Sequence, residues 1–260
     1  MVRDGRSGLP AGGGSALDVL ERPLTVLVGH SGSGKSEIAV NLAYGLRARG
    51  AAVSVVDLDL VKPYLRCRLA KDGLEARGIR LVAPEGERFY ADLPILPPEA
   101  RAAAGDGAGA DRRVVFDVGG SDLGARVLGS LAGVLNRAAT DLLFVVNACR
   151  PFAEDAQSLR AMLQAVQAAA RFEVTGLVAN THLMEETTPE TVLAGIHAAR
   201  ELEASSGVRV RFCAMLDHLA RALGGGAGRV DGLPILAIRR HIVAPGAPAA
   251  HRVPRRAAVV

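Results

Sequence analysis

Gly29-His30-Ser31-Gly32-Ser33-Gly34-Lys35-Ser36 is the stretch from which the rest of the chain can be interpreted. It matches the pattern G-x-x-x-x-G-K-[ST] without a gap, between an apolar run that predicts a strand at Leu24–Val28 and a run that predicts a helix over residues 37–49. Loop N–H groups, the helix N-terminus and the Lys35 ammonium then cup phosphate oxygens, and the Ser36 hydroxyl binds Mg²⁺. A plain glycine-rich connection would explain the glycines but not the Lys-Ser pair.

The composition indicates one large domain with a sizeable core. The chain has 260 residues, of which 49% are hydrophobic and 22% charged. No apolar run approaches the roughly 20 residues of a membrane span, and no secretory signal is visible, so we expect a cytoplasmic location. Cys67, Cys149 and Cys213 form no C-x-x-C pair, which indicates buried or idle thiols.

The basic balance comes from arginine, with a net charge of +4. Arg239-Arg240 and the arginines of residues 252–256 form two clusters near the C-terminus. They allow contact with nucleic acid, but no aromatic residues interleave with them as a stacking surface requires. A solvated basic tail is the favoured interpretation.

Short apolar runs alternate with helical patterns from residue 21 to residue 243. Strands are predicted at residues 24–28, 51–56, 79–83, 114–116, 142–146, 174–179, 208–214 and, at an edge, 233–238; further helices are predicted at 154–171 and 189–205. This alternation predicts an α/β fold: a three-layer, doubly wound, mostly parallel sheet with helices on both faces. Residues 1–20 and 244–260 are expected to be a flexible arm and a flexible basic tail, and residues 84–98 an irregular segment over the site.

Acidic residues follow two of the predicted strands. In such a sheet the ligand lies at the carboxyl ends of the strands. Asp57 and Asp59 follow the second strand, and Asp117 ends another, in Asp117-Val118-Gly119-Gly120. We expect Asp57 and Asp117 to hold Mg²⁺ in its outer shell, Asp59 to orient the attacking water, and the Gly120 N–H to reach the terminal phosphate.

Asn180 follows a further strand, in Asn180-Thr181-His182-Leu183. A side-chain amide there can pair with a purine edge. Leu183 stands where guanine-reading proteins place an aspartate, so nothing in this motif accepts the guanine N1 and N2 protons. The motif therefore favours adenine, although an asparagine after a strand is also an ordinary turn residue.

With these residues in place, the chain resembles the MinD/ParA branch of P-loop NTPases, grouped with the nucleotide-binding domains of cobyrinic acid a,c-diamide synthases. The resemblance rests on GHSGSGKS, VDLDLVKPYLRCR and VVFDVGGSD. It implies a parallel sheet, bound Mg·ATP and a homodimer facing across nucleotide, with Asp59 as the water-orienting residue and Asp57 in the metal shell. His30 stands where ParA and MinD proteins carry a second lysine.

Three functions follow as hypotheses. The leading one is a nucleotide-dependent switch, an ATPase that hydrolyses slowly until an unknown protein partner reads its state, with Lys35, Asp59 and Asp117 as catalytic residues. The alternative is an ATP-dependent ligase or kinase of the dethiobiotin synthetase type, with a substrate pocket lined by Pro63, Tyr64, Arg66, Arg68 and Tyr90. The third is a nucleotide-binding module with little turnover.

Overall fold

The fold was taken from a computed structural model. It describes residues 14–59, 67–83, 98–105, 111–120, 122–151, 153, 155–224 and 228–242, without the side chains of residues 122, 123, 125 and 131. Four of the predicted substrate-pocket residues (Pro63, Tyr64, Arg66 and Tyr90), most of the predicted irregular segment and the predicted tail lie outside these ranges.

A single sheet organises the described residues. Its strands are β1 (Leu24–Val28), β2 (Ala52–Leu58), β3 (Arg80–Val82), β4 (Arg112–Val118), β5 (Thr140–Val146), β6 (Gly176–Ala179), β7 (Val210–Leu216), β8 (Arg229–Val230) and β9 (Leu233–Ile238). Their order is β3-β2-β4-β1-β5-β6-β7-β9-β8. All neighbouring pairs are parallel except β8 with β9. The predicted α/β class with a mostly parallel sheet is confirmed.

Helices cover both faces of the sheet. They are α1 (Lys35–Ala48), α2 (Lys71–Glu75), α3 (Pro98–Gly105), α4 (Asp122–Leu131), α5 (Ala156–Ala170), α6 (Pro189–Ser206) and α7 (Asp217–Gly224). Every residue of β1 is buried, but Val26 belongs to one core cluster and Leu27 to the other. Side chains alternate across a strand, so β1 faces a separate apolar layer on each side.

The ends of several elements differ from the prediction. Asp57 lies inside β2, because the pairing with β4 continues through Asp57↔Asp117 and Leu58↔Val118 and Leu58 is buried. β9 is not the edge of the sheet, since the two-residue β8 flanks it. Thr188 is the N-cap of α6, with its hydroxyl accepting from Thr191 N at 3.3 Å.

The N-terminal boundary also moves. Residues 16–19 form a 3₁₀ turn, and Ala16, Leu17 and Leu20 are buried in the core cluster that contains α1. These apolar side chains attach residues that the sequence placed in a flexible arm. The helices α2, α3, α4 and α7 were not predicted, since α2, α3 and α7 are short and α4 begins two residues after a glycine pair. Within the described part of the chain, no helix has the length and apolar character needed to cross a bilayer.

Candidate functional site

The loop between β1 and α1 curls around its own lysine. Lys35 Nζ donates to the carbonyl oxygens of Gly29 at 3.0 Å and His30 at 2.8 Å, and the side chain is buried. His30 Nδ1 lies 2.8 Å from Ser31 O, so the histidine is held against the loop backbone. The ammonium group therefore stands under the loop, where its charge would favour anionic oxygens at the loop N–H groups.

Asn180, which follows β6, holds the loop backbone by a hydrogen bond. Its Nδ2 donates to Ser33 O at 2.7 Å, across 147 residues of sequence. Gly34 has φ +89°, and a Cβ there would lie 2.2 Å from the same nitrogen. Only glycine combines this backbone conformation with so close an approach. One of the two amide hydrogens of Asn180 is thus used by the loop, and the predicted base contact would need the other.

Asp117 and Ser36 meet at the start of α1. The Ser36 side chain hydrogen-bonds the Asp117 carboxylate, which is 1% exposed. Burial raises the pKa of Asp117, and the Ser36 hydrogen bond and the Lys35 charge oppose that rise. A hydroxyl and a carboxylate are the hard oxygen donors that Mg²⁺ takes alongside phosphate oxygens, so this pair fits the metal that the sequence predicts.

Cys67 is a member of this group that the sequence missed. Its Sγ donates to Asp117 Oδ2 at 3.2 Å and contacts Ser36 O at 3.7 Å. Burial and the nearby Asp117 raise the pKa of the Cys67 thiol well above its usual value, so it remains a hydrogen-bond donor. The thiol is buried, as expected, but it is not idle. No spacing rule connects residue 67 with residue 117, so the pairing depends on the fold.

Asp57 and Asp59 have different environments. Asp57 is fully buried, with Oδ1 accepting from Asp59 N at 3.0 Å and Oδ2 lying 3.3 Å from Arg68 Nε. Asp59 is partly exposed and borders the cavity described below. A Cβ on Gly119 would lie 2.9 Å from Asp59 Oδ1. Asp57 thus stands behind the cavity surface, and Arg68, predicted to line a substrate pocket, is paired with it.

Gly120 packs directly against the phosphate-binding loop. A Cβ on Gly120 would lie 2.3 Å from Ser31 N. Only glycine therefore allows the turn after β4 to approach the loop so closely. Strand β4 lies between β1 and β2 in the sheet, which is why the Asp117 turn reaches both the loop and Asp59. The structure therefore brings the residues predicted after β1, β2 and β4 to one place.

A cavity of about 320 Å³ extends from this cluster along the carboxyl ends of the strands. One end is polar, and we call it the phosphate end; it is lined by Ser31, Gly32, Gly34, Lys35, Ser36, Asp59, Asp117 and Gly120. The other, the nucleoside end, is largely apolar and is lined by Ile38, Met184, Met215, Leu216, Ile238 and Ile242. A polar end and an apolar end suit a ligand with a charged part and a flat apolar part.

Two basic groups border the cavity between its ends. Arg150 Nε donates to Gly32 O at 2.9 Å, which places a guanidinium on the outer side of the loop. His182 lies close to Gly34, and its pKa falls to about 4 because the ring is buried and Arg150 and Arg240 disfavour a further positive charge. Neither residue was selected from the sequence. Leu183, which was selected from the sequence, is exposed.

Asn147 ties the two loops behind this region together. Its Oδ1 accepts from Cys149 N at 3.1 Å and His182 N at 3.3 Å, and its Nδ2 donates to His182 O at 3.4 Å. The Thr181 hydroxyl accepts from Ala148 N at 3.0 Å. These bonds fix the turn after β6 against the turn after β5, which sets where Asn180 and His182 stand.

The fold and the loop together define a P-loop nucleotide-binding domain. A family model described as the CobQ/CobB/MinD/ParA nucleotide binding domain matches residues 24–198, and the chain belongs to this family. The match spans β1 to α6 and includes every predicted site residue. No curated protein matches the chain.

The solved structures that are similar to the chain include the following three. The signal recognition particle 54 kDa protein from Aeropyrum pernix K1 in complex with GDP is 21% identical, with 73% of this chain and 40% of that one covered and a TM-score of 0.48. FlhF complexed with GTP/Mg²⁺ is 16% identical, with 77% and 70% covered and a TM-score of 0.49. A nucleotide-binding protein in complex with ADP from Archaeoglobus fulgidus is 16% identical, with 82% and 89% covered and a TM-score of 0.47. The chain spans less than half the length of the first of these.

Proposed function

We propose that this protein is a Mg·ATP-dependent ATPase that acts as a nucleotide-dependent switch. The observation that carries the proposal is the convergence of Lys35, Ser36, Asp59 and Asp117 on one end of a single cavity. Membership in a nucleotide-binding family supports it. Each of these side chains has a part in binding or splitting a terminal phosphate.

In this proposal, the loop binds the phosphates. The N–H groups of the loop and the Lys35 ammonium bind phosphate oxygens, with the N-terminus of α1 adding partial positive charge. Ser36 and Asp117 would hold Mg²⁺, with Asp57 behind them in the outer shell. A Mg²⁺ ion held there would neutralise negative charge on the phosphates. Asn180 holds the loop backbone in the shape that this binding needs.

Hydrolysis requires a group that orients water toward the terminal phosphate. Asp59 is the described carboxylate with this position, because it borders the cavity and lies against Gly119. The Gly120 N–H stands next to the loop, without a side chain in the way. Positioning of this kind acts in the transition state more than in the ground state.

The switch follows from the contacts of the same residues. Gly120 lies against Ser31 of the phosphate loop, and Asp59 lies against Gly119, so the turn after β4 contacts both the loop and the residue that follows β2. A terminal phosphate bound there contacts both segments, and its loss removes those contacts. A protein partner that binds these segments would then distinguish the two nucleotide states.

Asp59→Ala tests the catalytic assignment. We expect Mg·ATP affinity to stay within about twofold and turnover to fall about 100-fold, because a water-orienting carboxylate stabilises mainly the transition state. Asp111→Ala, at an exposed aspartate at the opposite end of β4, is the matched control and should change neither value. Unchanged turnover in Asp59→Ala would move the role to Asp57.

Asp117→Asn tests the metal assignment separately. We expect nucleotide affinity measured with Mg²⁺ to fall about tenfold, and affinity measured with EDTA to change little, because the carboxylate acts through the metal. An equal loss under both conditions would show that Asp117 has a structural role only.

The state of assembly and the reaction partner need their own measurement. A homodimer that faces across nucleotide is part of the proposal, because the resemblance to MinD and ParA proteins implies one. Light scattering after gel filtration, with and without Mg·ATP, should show a dimer that needs nucleotide. ATPase activity should rise with a protein fraction of cell extract; activation by a small acid or amine instead would favour the ligase or kinase alternative.

A further inference from the structure

Helix α1 carries a stripe of polar side chains on the face turned toward the chain after β9. Glu37, Asn41 and Tyr44, which we call the α1 stripe, are spaced by four and three residues and therefore lie above one another on the helix. Asn41 is 9% exposed, and the Glu37 carboxylate lies against backbone N–H groups. Polar groups in such places need hydrogen-bond partners.

The partners are backbone groups of residues 239–242. Asn41 Nδ2 donates to Arg239 O at 2.9 Å, and Asn41 Oδ1 accepts from Arg239 N at 3.0 Å. Glu37 Oε1 accepts from Ile242 N at 2.8 Å and from His241 N at 3.0 Å. The Tyr44 ring meets the His241 ring edge-on at 4.6 Å between centroids. The stripe thus fixes each residue of this segment except Arg240.

The same segment forms one wall of the cavity. Ile238, Arg240 and Ile242 line the nucleoside end, while backbone groups of Arg239, His241 and Ile242 are bonded to side chains of α1. One short segment therefore contacts the helix mainly through its backbone and contributes side chains to the cavity. The stripe therefore sets how far the wall stands from the opposite apolar residues.

Helix α1 begins with Lys35 and Ser36, so one rigid element joins the phosphate end to this wall. We propose that the α1 stripe positions the wall of residues 238–242 and thereby determines affinity for the nucleoside part of the ligand. The inference rests on the proposed nucleotide binding, and it adds that binding of the phosphates does not need the stripe. Asn41 is a positioning residue, since it acts through the backbone that it holds; Glu37 holds the same segment and also borders the cavity.

Two ligands separate these contributions. Mg·ATP and Mg²⁺ with inorganic tripolyphosphate share the phosphate chain, but only the first has a nucleoside. Asn41→Ala removes both bonds to Arg239, so affinity for Mg·ATP should fall about tenfold by calorimetry, while affinity for tripolyphosphate stays within about twofold. Glu37→Gln keeps one oxygen acceptor and should show the same split at about threefold.

Asn136→Ala is the matched control. Asn136 also accepts from the backbone, at Ala138 N and 3.0 Å, but at the start of β5, away from the cavity. It should leave both affinities unchanged. Unaltered Mg·ATP affinity in Asn41→Ala and Glu37→Gln, or an equal loss for both ligands, would overturn the inference. A wild-type protein that binds neither ligand would overturn the proposed function instead. If Asn41→Ala unfolds, Glu37→Gln decides the matter alone.

Discussion

Lys35 finds its carbonyl partners five and six residues away, whereas Asn41, six residues further along the same helix, finds one 198 residues away. The first set of bonds forms as soon as the loop closes on its own lysine. The second requires β9 to be in place beside β7. The phosphate end is therefore a local structure, and the nucleoside end depends on the whole sheet.

This difference predicts which substitutions act broadly. A change at the phosphate end should affect every ligand that has a phosphate chain. A change at the nucleoside end should affect only ligands with a base and a sugar. The four expectations that follow would break or sharpen this division, and they run from the largest effect to the smallest.

Lys35→Ala should lower affinity for Mg·ATP and for tripolyphosphate alike, by about 100-fold or more. The substitution removes a full positive charge from the phosphates, and bonds to charged groups are the strong ones. Lys71→Ala, at a lysine on α2 whose exposed side chain pairs with Glu75, is the control and should bind like the wild type. Calorimetry with both ligands measures this. A large loss for ATP alone would contradict the division.

The sequence indicated which residues would lie together at the phosphate end for the same reason that this end is local. Eight consecutive residues specify the loop, and the acidic residues near the ends of β2 and β4 follow from apolar runs that stop. The sequence analysis missed Cys67, Arg150 and the α1 stripe, because the order of the strands in the sheet decides their partners. That order cannot be read from the sequence. Residue 41 gives no local sign that it will meet residue 239.

His182 borders the cavity, and burial, followed by the charges of Arg150 and Arg240, lowers its pKa. Its pKa of about 4 in the fold lies below the usual value of about 6.5, so the neutral ring is favoured. The unfolded chain takes up a proton first as pH falls. The contribution of His182 to the free energy of unfolding is thus fully present above about pH 6.5 and decreases as the pH falls toward 4. At pH 5 the loss from this residue is about 2 kcal/mol.

Urea unfolding from pH 8 to pH 5 checks this expectation. His182→Asn should flatten the pH dependence by about 2 kcal/mol. His197→Asn, at an exposed histidine on α6, should leave it as in the wild type. Because His241 has a similarly lowered pKa of about 4, some loss should remain in His182→Asn. An identical slope in wild type and His182→Asn would show that the ring accepts a proton freely in the fold.

Base choice should be a property of the nucleoside end alone. Guanine needs an acceptor for its N1 and N2 protons, and the acidic side chains near this end already have partners. Glu37 accepts backbone N–H groups, Glu185 pairs with Arg240, and Asp217 pairs with Arg221. An unpaired donor costs about 1 to 3 kcal/mol, so ATP should bind about tenfold more tightly than GTP.

Competition of ATP and GTP for a fluorescent analogue measures the preference. Equal affinities, or a preference for GTP, would overturn the interpretation of Asn180 to Leu183 as an adenine signal. In that case the same competition with the Asp217→Ala variant identifies the acceptor. If this variant prefers ATP, Asp217 leaves its arginine partners to bind guanine in the wild type. Tripolyphosphate should bind to Asp217→Ala as it does to the wild type.

The smallest effect is expected at Cys67, and it tests how finely the phosphate end is tuned. The thiol donates to Asp117 Oδ2 and fixes the direction of that carboxylate. A thiol is a weak donor, so its loss should cost less than about 1 kcal/mol. Cys67→Ala should therefore raise the Mg²⁺ concentration needed for half-maximal ATPase activity about threefold, and Cys67→Ser, which keeps a donor, should restore it.

Cys213→Ala is the matched control, because Cys213 is equally buried but donates to Pro234 O on strand β9. If Cys67→Ala and Cys213→Ala lower thermal stability alike and neither changes the Mg²⁺ requirement, Cys67 only fills space, and the metal carboxylate is held by Ser36 alone.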